Sequence, residues 1–223
     1  MASRSVERAE SARAASLLFS CIAEHGSAAH PYFGSDALIS APDVARNVAD
    51  AVHFLCALHG RHPGVVDLAG TRTVDPAARA WLAAASDAMV AERAFLTRLA
   101  VAAGAVPSTP GGAGSETAVL SQCAALATLA QSDRSGCALG AALAFAADWA
   151  PIRLRLEGAA KRLGVDAPPF GLGDEAEMRL VADVAGEIPA TERALLFGAQ
   201  QLAHQHFGLW DLLEARYLAR RDD

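Results

Sequence analysis

Residues 75–103 read DPAARAWLAAASDAMVAERAFLTRLAVAA, and this stretch decides the fold. Asp75 is an N-cap residue and Pro76 suits the first helical position, where its missing N–H costs nothing. No breaker follows until Gly104. The stretch predicts one helix of about 29 residues, or ~43 Å at ~1.5 Å per residue, the length of a bundle helix. Met89, Glu92, Leu96 and Leu99 share one stripe of it. Glu92 is therefore expected to turn its carboxylate toward packed neighbours in mid-helix, where burial requires a compensating partner.

The punctuation on either side is also helical. A first helix is expected from Ser5 to Glu24, then a loop with His30-Pro31-Tyr32-Phe33-Gly34. Pro42 opens a second helix ending near Gly60. After the long helix, composition switches to Gly, Pro, Ser and Thr from Gly104 to Ser115, with Pro107-Ser108-Thr109-Pro110-Gly111-Gly112 inside. This is the expected linker (104–115), suited to the crossover of a four-helix bundle. Ser115 caps a helix to Gln131, and Ser132 to Gly136 is a break or weak point. Further helices run from Cys137 to Leu163, from Asp174 to Gly186 and from Pro189 to Arg220. Glu192, Leu195, Ala199, Leu202, His206, Leu209 and Leu213 form a seam with alternating steps of three and four, so the last helix packs along its length. Gly136, Gly140 and Ala144 lie four apart and would let two helix backbones approach closely.

Composition agrees. Hydrophobic residues make up 52% of the 223, but aromatics only 6%, and Ala and Leu dominate. That favours packed helices over sheets. A net charge of −6 speaks against non-specific nucleic-acid binding, which needs a basic surface. The uncharged runs fall short of the ~20 strongly apolar residues of a membrane span. The four cysteines, Cys21, Cys56, Cys123 and Cys137, form no Cys-x-x-Cys pair and read as reduced residues of a cytoplasmic protein. No nucleophile elbow is present, and Gly111-Gly112-Ala113-Gly114-Ser115 lacks the Lys-Ser/Thr of a P-loop.

The candidate polar centre is Glu92, His206, Asp133, Glu192, His53 and His59. For Glu92 an arginine is the expected partner, ahead of a metal. Glu192 follows Pro189 by three residues, so its helix dipole alone accounts for it. Asp50-Ala51-Val52-His53 is the one acid-x-x-His pair, and chance alone supplies about one in such a composition. His59 and His62 near a helix C-terminus suit the dipole without any site. Asp148, beside Trp149, reads as semi-buried. Arg153, Arg155, Lys161 and Arg162 read as a solvated helix face.

Glu92-Arg93-Ala94-Phe95-Leu96 recurs as Glu192-Arg193-Ala194-Leu195-Leu196. With the helix order, this repeat resembles ferritin-like di-iron bundles, including the tRNA hydroxylase type. Phe95 and Leu195 stand where those proteins carry ligand histidines. Leu58-His59-Gly60-Arg61-His62-Pro63, Pro107-Ser108-Thr109-Pro110-Gly111, Asp148-Trp149 with Ile152-Arg153, and Gly208-Leu209-Trp210-Asp211-Leu212-Leu213-Glu214 resemble a small family of uncharacterised alphaproteobacterial proteins, from about Asp43 onward. The resemblance implies an all-α fold, a ferritin-like four-helix bundle with additional helices, in one domain over 1–223. The sequence assigns no function and leaves open whether the protein is an enzyme; the first reading is a non-enzymatic or ligand- or partner-binding bundle without a standard di-metal site and without a cofactor. A homodimer and a small-molecule ligand in an apolar pocket, with Glu92 or Arg98 at its polar end, are the expected partners. The alternative is a metal-dependent oxidase or hydroxylase holding iron or manganese on Glu92, Glu192 and His206, with Asp133 and His53 or His59 assisting.

Overall fold

Every residue from Cys137 to Ala146 is buried in the computed structural model, which describes residues 13–221. A helix apolar all round must be surrounded by others. That helix, Cys137–Leu163, is the hub of the molecule. By length and composition it is the one helix among the described residues able to cross a membrane, yet 78% of its most apolar window is buried inside the protein.

The described residues form nine α-helices and no strand. They are α1 Arg13–His25, α2 Asp36–Ile39, α3 Val44–His59, α4 Val65–Arg72, α5 Pro76–Ala103, α6 Gly112–Ala130, α7 Cys137–Leu163, α8 Glu175–Ala185 and α9 Pro189–Arg221. Two 3-10 turns, Ser27–Ala29 and Pro31–Gly34, join α1 to α2. The hub α7 packs most extensively on α9 and also meets α1, α4, α5, α6 and α8, and one continuous apolar core runs through all of them. The predicted start of the first helix at Ser5 lies outside the described residues.

The long central elements follow their sequence signals. The Asp75 side chain accepts the Ala78 N–H at 2.8 Å, capping α5 as its Asp-Pro start predicts. Gly136 has φ 92°, left-handed, and this separates α6 from α7. The seam of α9 is buried at Leu195, Ala199, Leu202, His206, Leu209 and Leu213. The glycine spacing has its expected use. A Cβ on Gly140 would lie 1.9 Å from the Leu195 carbonyl oxygen, and one on Gly198 2.0 Å from that of Cys137. The backbones of α7 and α9 thus touch through glycine, which brings the side chains of both helices to the same interior points.

Other expectations need correction. Helix α6 starts at Gly112, not Ser115; the left-handed Gly111 provides its start, and Ser115 sits buried in its first turn. The second helix starts at Val44 rather than Pro42, and Gly60 closes it in right-handed geometry. Helix α4 was not expected, since Gly70, Thr71 and Thr73 dilute its pattern; the Gly64 N–H bonded to Asp67 at 2.7 Å starts it. The linker connects α5 to α6, which are not principal packing partners: α5 lies on α3, α4 and α7, and α6 on α3, α4, α7 and α9. Arg216 fastens it by donating to the Pro107 carbonyl at 3.0 Å and to Thr109 Oγ1 at 3.1 Å.

Gly140→Ala should lower the urea-unfolding free energy by about 3 kcal/mol, because the added methyl meets backbone that cannot yield. Gly70→Ala, with nothing within 4 Å, should leave stability unchanged or raise it by up to ~1 kcal/mol. Equal effects at the two sites would refute the close crossing of α7 and α9.

Candidate functional site

Two helices place opposite charges at one buried point. Glu92, from the middle of α5, is 1% exposed; Arg153, from α7, is 2% exposed. Arg153 Nε lies 3.0 Å from both Glu92 carboxylate oxygens, and Trp149 Nε1 donates to Oε2 at 2.9 Å. The guanidinium spends its other donors on Glu157 Oε1 at 2.7 Å and the Pro168 carbonyl at 2.5 Å. Its carbon sits 4.5 Å from the centre of the Phe95 ring. Trp149, Arg153 and Glu157 are spaced by four, so α7 presents all three on one face. Arginine suits this place because its planar fork serves several acceptors at once and retains its charge when buried.

One turn away, a second buried chain begins on α7. Asp148 Oδ1 accepts the Ser27 N–H at 2.8 Å, and Oδ2 accepts Ser27 Oγ–H at 2.6 Å. His206 of α9 donates from Nδ1 to the same Oδ2 at 2.6 Å. Its Nε2 stands 3.0 Å from Nε2 of His59, at the end of α3. Burial, then the neighbouring His206 and Arg93, hold the His59 pKa well below the ordinary value of 6.5, so its neutral form is favoured. The His59 ring lies against Phe145 and Trp149, the residue that also holds Glu92. Ser27, Asp148, His206, His59, Trp149, Glu92 and Arg153 thus form one polar and aromatic spine across the core.

Two further ion pairs flank this spine. Asp67 meets Arg93, Ser86 and the Gly64 N–H, with His62 Nδ1 3.3 Å away. Burial raises the Asp67 pKa, but its bonds to Ser86 and Gly64 and the charges of Arg93 and His62 together carry it below 3.8. Asp50 meets Arg216 at 2.9 Å and Arg220 at 2.5 Å. Both arginines also reach Thr109, so this cluster holds the linker down.

The predicted site residues separate into two groups. Glu92, His206 and His59 lie on the spine. Asp133 is 90% exposed in its side chain and pairs with Arg72 at 2.8 Å. Glu192 is half-buried in the first turn of α9. His53 bonds the Gly104 carbonyl at 2.8 Å, away from the centre. A position at a helix end or on an outer face took these three from the interior. Among the described residues, no three His, Cys, Asp or Glu side chains are grouped to hold a metal ion, so Glu92, Glu192 and His206 do not form the alternative ligand set. Arg98, exposed on α5, donates to the Asp166 carbonyl at 3.2 Å. Burial pushes the thiols of Cys21, Cys56 and Cys123 up, which disfavours nucleophilic thiolate.

Arg153 and Asp67 are the residues that sequence reasoning missed. Arg153 belongs by sequence to the basic stretch that reads as a solvated face, yet it follows Trp149 by four and adjoins the apolar Ile152 and Leu156. That placement on the buried stripe was the available signal. Asp67 was missed together with its helix.

A cavity of about 220 Å³ opens between α2, α3 and the C-terminal half of α7. Leu38, Ile39, Val48, Ala51, Val52, Leu55, Leu156, Ala159 and Trp210 give it apolar walls. Gly158 and Ala159 leave the room: α7 offers no bulk at those two positions, and Ala51 faces the same space from α3. Arg155 and Arg162 are its charged lining residues, and no acidic residue lines it.

The chain belongs to a family of unknown function (DUF6975), whose model matches residues 22–221. No curated protein and no solved structure matches it.

Glu92→Ala should cost about 3–5 kcal/mol in chemical unfolding, because it leaves the Arg153 cation buried without its counterion. The double change Glu92→Leu, Arg153→Met should recover most of that loss; a double variant as unstable as Glu92→Ala would show that the pair is not the origin of the cost. For pH, the native His59 pKa lies below the unfolded value of 6.5, so below that value the unfolded chain binds the extra proton. Stability should therefore fall as pH drops from about 7.5 to 5.5, by up to ~1.4 kcal/mol per unit for each proton taken up. His59→Leu should flatten the slope by about one proton. Parallel slopes would contradict a neutral buried His59.

Proposed function

We propose that this protein is a non-enzymatic helical binding protein of ferritin-like descent, in which an arginine has replaced metal at the bundle centre and a small apolar ligand is the partner. The observation that carries the reading is the cavity between α2, α3 and α7, whose walls are apolar core side chains. Its volume of about 220 Å³ exceeds the ~150 Å³ that holds a benzene-sized guest and falls below the ~300 Å³ typical of drug-sized pockets. Such a space suits one short apolar body.

Phe95 supports the descent. It occupies the third position after Glu92, where a di-iron bundle has a ligand histidine, and it lies under the Arg153 guanidinium. The guanidinium supplies the positive charge that a buried glutamate requires, so the pair persists without bound metal. A metal oxidase built here would first have to separate Glu92 from Arg153 and Trp149. The unpaired cysteines suit a reducing cytoplasm.

The neutral fluorophore N-phenyl-1-naphthylamine tests the pocket. It should bind saturably with a Kd in the micromolar range, roughly −8 kcal/mol, and Ala51→Trp should weaken it about tenfold or more by filling the cavity. Protein purified without chelator should carry under about a tenth of an equivalent of iron, manganese or zinc. Non-saturating fluorescence would remove the binding reading, and near-stoichiometric metal would remove the arginine-for-metal reading.

A further inference from the structure

The cavity has an electrical sign as well as a shape. Arg155 and Arg162 line it, seven residues apart and so on one face of α7, about 10 Å apart along the helix. Among the described residues, neither forms an ion pair. Arg155 lies with its guanidinium carbon 5.0 Å from the centre of the Phe33 ring, and Arg162 donates to the Ile39 carbonyl at the end of α2. The buried arginines have carboxylate partners: Arg93 has Asp67, Arg153 has Glu92 and Glu157, and Arg216 has Asp50, whereas half-buried Arg155 and exposed Arg162 have none. The two cations at the cavity therefore sit at its rim, in reach of solvent, and are not balanced by an acid there.

The mouth is amphipathic. Leu154 is 69% exposed and Ile39 37% exposed beside the two cations. Apolar walls below and guanidinium groups without a carboxylate partner at the rim match a molecule with an apolar tail and an anionic end. Guanidinium groups hold a carboxylate through paired N–H donors. An apolar chain alone would not call for two cations, and a cationic amphiphile would be repelled by them.

We infer that the pocket binds an alkyl carboxylate of short to medium chain length, its tail between α3 and α7 and its carboxylate at Arg155 and Arg162. This rests on the pocket reading above, and the test separates the two. Displacement of N-phenyl-1-naphthylamine from the full chain would be measured with decanoate, decanol and decyltrimethylammonium. Decanoate should compete about tenfold better than decanol, and that preference should shrink as salt rises, since the rim charges meet solvent. Arg155→Gln, Arg162→Gln should abolish the preference and leave decanol unchanged; Arg155→Lys, Arg162→Lys should retain part of it, because charge survives without the fork. Equal competition by decanol and decanoate, or the best competition by decyltrimethylammonium, would overturn the carboxylate assignment while the pocket stands. A dye that does not bind, with no ligand detected by calorimetry, would overturn both.

Discussion

A carboxylate in the middle of an apolar helix must be neutralised before the helix can be buried. Glu92 sets this constraint and Arg153 satisfies it, with the indole of Trp149 completing the bonding. The pair fixes the register of α5 on α7, because a shift of one residue on either helix would leave both charges in an apolar medium. It also holds the segment after α7, through the Pro168 carbonyl. A buried ion pair adds little net stability over apolar residues of the same shape, but losing one half is expensive. Its effect is therefore to select one arrangement of these helices over the others that an Ala- and Leu-rich sequence would allow.

The hub helix α7 divides its work along its length. Its first half is small and apolar and meets α9 through glycine, which admits no side chain at the crossing. Its middle carries the polar side chains in consecutive turns: Asp148 toward Ser27 and His206, Trp149 and Arg153 toward Glu92. Its last turns drop back to Gly158 and Ala159 and leave the cavity open. Close packing, charge neutralisation and empty space thus follow one another along one element. The space lies where the ion pairs end, and Arg155 and Arg162 have no acid to meet there.

The long helices were legible in the sequence because their signals are local: an Asp-Pro start, a left-handed glycine, an uninterrupted seam. The burial of Glu92 was legible for the same reason, from the stripe it shares with Met89 and Leu96. The repeated Glu-Arg-Ala segment was less informative than its symmetry suggested. Its first copy sends both Glu92 and Arg93 into ion pairs, whereas Glu192 is half-buried at a helix start and Arg193 is exposed. Partners distant in sequence were not legible. Glu92 and Arg153 are 61 residues apart, and His59 and His206 are 147 apart. Nothing within one helix marks His59 as the member of a chain rather than a charge at a helix end. The cavity was invisible for another reason: it is made by what Ala51, Gly158 and Ala159 lack.

Arg153 thus neutralises Glu92 inside the core, out of contact with water. The side-chain Nε–H resonance of Arg153, observed by nitrogen-15 NMR at neutral pH, tests it most directly. Held by a carboxylate at 3.0 Å in the buried core, that proton should exchange slowly with solvent and stand apart from the exposed arginines, and Glu92→Gln should move it. An Arg153 Nε–H that exchanges as fast as the exposed arginines, and does not respond to Glu92→Gln, would contradict the account.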